Sequence, residues 1–174
     1  VLSRHAPELS ALMHGGDQQR GRSGTLDVAG VVAFAAALEL REQARIEHGA
    51  HLAARRDSLR EQLCAAVPDV VVRGSHDARL PGNLHITVPG CEGDVLLYLL
   101  DQHGIQVSTG SACQAGVPEP SHVLLAMGLS EETARGALRF SLGYHTTEDD
   151  IEAVASVFPR VVEQARAAGM ASGR

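Results

Sequence analysis

The residue with the most chemistry to offer is Cys113, at the centre of Val107-Ser108-Thr109-Gly110-Ser111-Ala112-Cys113-Gln114-Ala115-Gly116. Small residues fill the approach, Gly110 and Gly116 flank the cysteine symmetrically, and Pro118 and Pro120 bar a regular continuation. The segment is a loop pinned at both ends. The five residue steps from Ser108 to Cys113 carry the thiol at most about 17 Å when fully extended. A thiol that works deep in one site and then meets a second partner needs such a tether. The alternative is a structural cysteine buried in a tight turn, a common fate of free cysteine. No Lys or Arg lies within ten residues of Cys113, and His122 is nine away. A free thiol is only a few per cent ionised at neutral pH, so groups brought near by folding, or a bound substrate, must take its proton.

Two further residues have types and settings that suggest chemistry. In Ala137-Leu138-Arg139-Phe140-Ser141-Leu142-Gly143 the two-residue alternation of a strand sends Leu138, Phe140 and Leu142 one way, and Arg139 and Ser141 the other. Arg139 is either a solvated arginine on the open side of a sheet or a rigidly mounted guanidinium able to hold a carboxylate through two parallel hydrogen bonds. Upstream, the glycine-rich stretch 15–25 ends in Arg22-Ser23-Gly24-Thr25 and leads through Asp27, an N-cap, into a helix. It is either a plain turn or an anion site in which backbone N–H groups, the Thr25 hydroxyl and the positive helix end favour a phosphate. Of the other cysteines, Cys64 reads as packing on a helix, and Cys91 as a turn filler ahead of a ligand or second thiol.

The elements that must position these residues follow from periodicity. A helix from Asp27 carries Val28, Val31, Val32, Ala35 and Leu38 on one face, and a charged amphipathic passage continues to Val67, with Gly49 expected to mark a bend between two helices. Short strands are expected at 70–72, 83–88, 105–107 and 137–142. Helices are expected after Asp94 (as cap) to Gly104, from Ser121 to Met127, and after Ser130. A last helix opens at Thr147-Glu148-Asp149-Asp150 and carries a stripe from Ile151 to Ala165, with Pro159 expected to kink or split it. The pattern describes an α/β sandwich with helices on one face of a small sheet.

Composition narrows the class. The 174 residues are 44% hydrophobic, with three cysteines and a net charge of −6, which favours a folded domain in a reducing compartment and argues against a nucleic-acid footprint. No apolar run has the roughly 18 residues of a membrane span. All fifteen basic residues are arginine. This chain therefore forms no Schiff base through a lysine of its own.

Arg22-Ser23-Gly24-Thr25, Ser108 to Cys113 followed by Pro120-Ser121-His122-Val123-Leu124, and Arg139-Phe140-Ser141-Leu142-Gly143, in this order, resemble the cysteine desulfurases of the NifS/IscS type. These are pyridoxal-phosphate enzymes of the class-V aminotransferase fold. The resemblance runs from about Val1 to Ala165 and implies an α/β, PLP-transferase-like fold. Residues 1–45 are then the C-terminal end of the large domain, with its phosphate-contacting loop. Residues 46–168 are the complete small α/β sandwich domain, with a mobile cysteine loop at 108–118, and residues 169–174 are a tail. It implies Cys113 as the nucleophile that becomes a persulfide, Arg139 as the anchor of the substrate α-carboxylate, and Thr25 as the hydroxyl that reaches the cofactor phosphate of the other subunit of a homodimer. Further implications are L-cysteine as substrate, pyridoxal 5'-phosphate bound mainly by an upstream half, no metal, a cytoplasmic setting, and delivery of sulfur to an iron–sulfur scaffold or tRNA-thiolation acceptor. The family's Schiff-base lysine and ring-stacking histidine have no counterpart here, and the glycine-rich loop is one residue shorter than the usual form, with Gln19 where glutamate is common. The chain is thus expected to be a C-terminal fragment, inactive alone. The competing reading is a non-catalytic sulfur-carrier or interaction module. An unrelated thiol hydrolase would need a histidine beside Cys113, and none is expected there.

Overall fold

The structure, a computed structural model, describes residues 10–11, 13–16, 21–109 and 120–172. By backbone contacts the chain divides into two compact units, Val1–Ala44 and Arg45–Arg174.

In the first unit, the Ser23 N–H donates to the Met13 carbonyl (3.2 Å), and Gly24 takes a left-handed φ of +87°. Asp27 caps helix α1 (Val28–Ala66) as expected: its carboxylate accepts from the Gly30 N–H at 3.0 Å. The apolar face expected on this helix, Val28, Val31, Val32, Ala35 and Leu38, is exposed, as is Phe34 beside it.

The second unit is built on a three-stranded antiparallel sheet in the order β1 (Val71–Val72), β2 (Asn83–Thr87), β3 (Ala137–Ser141). The period of two puts Leu84, Ile86, Leu138 and Phe140 on one face, all buried. Against this face pack the C-terminal half of α1 through Leu59 and Leu63, helix α2 (Gly93–Asp101) through Leu96 and Leu100, and helix α5 (Glu148–Ser172). Of the expected α5 stripe, Ile151, Val154, Phe158, Val161, Val162 and Ala165 lie in the core, and Ala155 is half-buried at its edge. At about 1.5–3 kcal/mol for each large side chain withdrawn from water, this one-sided layer supplies most of the unit's cohesion. The opposite face carries His85, Thr87, Ala137 and Arg139, and two five-residue helices, α3 (His122–Ala126) and α4 (Glu131–Arg135), close over its Ala137 end through Leu124 and Ala134.

Several local expectations need correction. Helix α1 runs through Gly49 without a break, because an isolated glycine costs only about 1 kcal/mol and long helical flanks absorb it. Residues 105–107 are not a strand; pairing is confined to a single bridge at Ser108. The N-cap of α2 is Glu92, with Asp94 inside the first turn. Helix α5 is not split at Pro159: the proline lies on the exposed side, where water can satisfy the Ala155 carbonyl that loses its N–H partner. Other signals read correctly. Ser130 accepts from the Thr133 N–H at 3.2 Å, and Thr147 and Asp150 cap α5 reciprocally.

Candidate carboxylate and thiol site

Arg139 occupies the middle of β3, directly opposite His85 on β2. Both of its main-chain polar groups turn outward to Ser108: the Arg139 N–H donates to the Ser108 carbonyl at 2.6 Å, and the Arg139 carbonyl accepts from the Ser108 N–H at 3.1 Å. Two consequences follow. His85 and Arg139 form a non-hydrogen-bonded pair, the arrangement in which opposed Cα atoms lie only about 4.5 Å apart and side chains are closest. And the segment that leads to Cys113 is fastened, at its first residue, to the backbone of the arginine. Cys113 and its neighbours at 110–119 lie outside the described residues, so the expectation for Cys113 rests on that root. Close packing secures the root from below. A Cβ on Gly93 would sit 2.6 Å from the Ala137 carbonyl oxygen, 2.9 Å from that of Arg135 and 3.3 Å from the Thr109 methyl, so only glycine fits there.

Arg139 and His85 open into a pocket of about 260 Å³ on the free face of the sheet, bounded by Arg73 and Arg79, by Asn83, and by Ser121, Leu124 and Met127 at the α3 side. Among the described residues three guanidiniums line it and no carboxylate does. Arg73 is steered by a 2.8 Å hydrogen bond from its Nε to Thr87 Oγ1, while Arg79 is spent on its own loop, donating to the carbonyls of Ser75, Arg73 and Gly74. Burial, and next the neighbouring Arg56 and Arg60, lower the Arg79 pKa. The His85 ring is pushed below its ordinary pKa, first by burial and then by Arg139, Arg73 and Arg79. These surroundings disfavour its imidazolium form. Arg139 Nε and His85 Nδ1 are both buried without a hydrogen-bond partner among the described residues. Buried polar nitrogens are rarely left unmet, and two of them in a cationic pocket suit a ligand that brings negative charge and acceptors.

The remaining sequence candidates are placed as follows. Thr25 is exposed in the first unit, on a turn where Arg22 folds back to donate to the carbonyls of Ser23, Gly24 and Thr25. The Gly30 N–H at the adjoining helix end is taken by Asp27, so a phosphate-binding role rests on the Thr25 hydroxyl rather than on that N–H. Cys91 is buried in the core, its Sγ 3.8 Å from the Val162 carbonyl, and burial pushes its thiol pKa up. Cys64 packs at the core's edge. Among the described residues no His, Cys, Asp and Glu group could hold a metal ion, and no helix is long and apolar enough to cross a membrane. Sequence reading missed His85, Arg73 and Arg79. The alternation of β2 does turn His85 away from the core, but its meeting with Arg139 depends on strand register.

Comparison with known proteins agrees with the fold. The profile of the aminotransferase class-V family matches residues 7–154. The chain is 50% identical to an IscS-like cysteine desulfurase of Mycobacterium tuberculosis over 99% of its own length and 44% of the relative's. It is 42% identical to the cysteine desulfurase IscS of Clostridium botulinum, over 94% of this chain and 42% of that one. Among solved structures, a NifS-like protein from Rickettsia africae superposes with a TM-score of 0.75 at 31% identity, covering 88% of this chain and 40% of that one. The chain thus spans less than half the length of the curated relatives it matches.

Proposed function

The chain belongs to the aminotransferase class-V family, and on that premise we propose that it is the carboxylate-binding and sulfur-accepting portion of a cysteine desulfurase. The reaction is removal of sulfur from L-cysteine, giving L-alanine and a persulfide on Cys113, for delivery to an iron–sulfur scaffold or a tRNA-thiolation acceptor. The observation that carries this reading is the double hydrogen bond between Ser108 and Arg139, which roots the cysteine loop beside a guanidinium in a cationic pocket.

The residues of this chain divide the work. Arg139 holds the α-carboxylate through its planar fork. The Cys113 thiolate bonds to the substrate sulfur as the carbon–sulfur bond breaks, and alanine forms when that carbon is protonated. When bound, pyridoxal phosphate supplies the sink for the electrons released. The fit of this chain to that cofactor is limited to its phosphate: the exposed Thr25 hydroxyl, beside left-handed Gly24, can donate to it across the interface of a homodimer. With no lysine in the chain, we assign the residues that grip the ring to sequence outside it. The enzyme is assigned to the cytoplasm, and this portion alone is expected to be inactive.

The test is to express the full-length protein and measure alanine and sulfide from L-cysteine. Inactivity, or a Cys113→Ser variant as active as the parent in the presence of reductant, contradicts the proposal. The lysine-free composition favours one other reading, a sulfur-carrier module without catalysis. A natural reading frame that starts near Val1 and yields a folded protein without turnover would select it.

A further inference from the structure

His85 has no role in the reaction as just described, yet it is the side chain most intimately paired with Arg139. The two residues are directly opposed on the free face of the sheet, in the closer of the two antiparallel arrangements, and line the same pocket. Each leaves a buried nitrogen without a partner among the described residues. We propose that His85 is the second anchor for the anionic group of the pocket's ligand, hydrogen-bonding the carboxylate that Arg139 holds, and that its ring takes up a proton as the ligand binds. The inference rests on the assignment of this pocket to a carboxylate-bearing substrate.

The charges around the ring decide the direction. Facing His85 are Arg139 from β3, Arg73 from the end of β1 and Arg79 from the following loop. From α3 come only Ser121, Val123, Leu124 and Met127, and the charged residues of α4 (Glu131, Glu132 and Arg135) are exposed and do not line the pocket. Among the described residues no acidic side chain offsets the three guanidiniums there, so they disfavour imidazolium in addition to the cost of burial. A carboxylate bound between Arg139 and His85 reverses the local sign and raises the ring's pKa. By linkage, ligand affinity gains a contribution that is fully present below the free-state pKa and is lost as pH rises through the bound-state pKa. Because the free-state value lies below 6.5, the window opens on the acid side of 6.5 and extends upward from there.

The probe is propionate, a carboxylate with neither an amine nor a thiol to exchange protons. In the full-length protein with isotope-labelled histidine rings, the His85 signal is assigned by its loss in a His85→Asn variant and titrated with and without propionate. The expected result is a His85 titration shifted to higher pH by the ligand, with propionate bound several-fold more tightly at pH 6 than at pH 8, a difference absent in His85→Asn. A His85 titration unmoved by propionate overturns the inference, whatever the enzyme's turnover. Absence of alanine formation from L-cysteine, with the His85 shift intact, would instead retire the assigned reaction and leave His85 an anion anchor. Under turnover, His85→Phe is expected to raise KM about tenfold with kcat within threefold, and His85→Gln to restore most of KM at pH 8. A loss confined to kcat would contradict a binding role.

Discussion

Replacing Arg139 with methionine should make the protein more stable and less able to bind, and the opposition of the two signs is the test. The side chain sits in a cationic pocket beside His85, Arg73 and Arg79, with Nε buried and unpartnered among the described residues. An unsatisfied buried donor costs about 1–3 kcal/mol, and methionine removes it while filling similar space without branching. The strand itself should be unaffected, because the hydrogen bonds to Ser108 use only the main chain. The unliganded protein should therefore gain about 1 kcal/mol, or about 3 °C in Tm for a unit of this size. Binding should move the other way. Losing one of two charge-assisted hydrogen bonds costs about 1.5–3 kcal/mol, so Arg139→Lys should lower kcat/KM roughly 10- to 150-fold, and Arg139→Met by more. Thermal unfolding of the unliganded protein and initial-rate kinetics with L-cysteine read the two effects separately. An Arg139→Met variant that loses stability, or an Arg139→Lys variant within threefold of the parent in kcat/KM, would refute the reasoning.

Other substitutions report on the scaffold. Gly93→Ala should destabilise the second unit by several kcal/mol, of the order expected for overpacking, since the added carbon meets two carbonyl oxygens closer than 3.0 Å; chemical denaturation measures it. Thr147→Ala should cost about 1 kcal/mol by removing one half of the reciprocal cap. Below pH 6.5 the unfolded chain protonates His85 before the native state does, so stability should fall as pH drops from 6.5 through the lowered native pKa; His85→Asn should flatten that slope in pH-dependent unfolding. Cys91, buried and with its thiol pKa raised, should resist alkylation in the native protein at pH 8 and react only on unfolding.

Much of the second unit was legible in its sequence because its signals are local and redundant. The alternation of Leu84, Ile86 and Val88, the α5 stripe, Ser130 as a cap, and Gly104 and Gly128 with positive φ at helix ends each follow from a short stretch of chain. Errors arose where long-range contacts override local preference. Gly49 lies inside a helix long enough to carry it, and Ile105–Val107 has the composition of a strand but meets β3 only at the following residue, Ser108. The site divided in the same way. Arg139 could be read as outward-facing from its own strand, whereas His85 gains its meaning only when β2 and β3 are aligned, and Arg73 and Arg79 only when the loop between β1 and β2 folds over the sheet. The exposed Val28, Val31, Val32 and Leu38 are the converse case: the pattern is present, and none of the described residues of its own unit covers that helix face.

The central claim is that one tethered sulfur and one fixed guanidinium act on the same amino acid. Intact-mass and peptide analysis of the full-length protein after a brief exposure to L-cysteine tests it most directly. The account predicts one additional sulfur atom on the peptide that carries Cys113, none on those carrying Cys64 or Cys91, and its disappearance in both Cys113→Ser and Arg139→Met. Alanine released with no sulfur on Cys113, or sulfur gained equally well without Arg139, would contradict it.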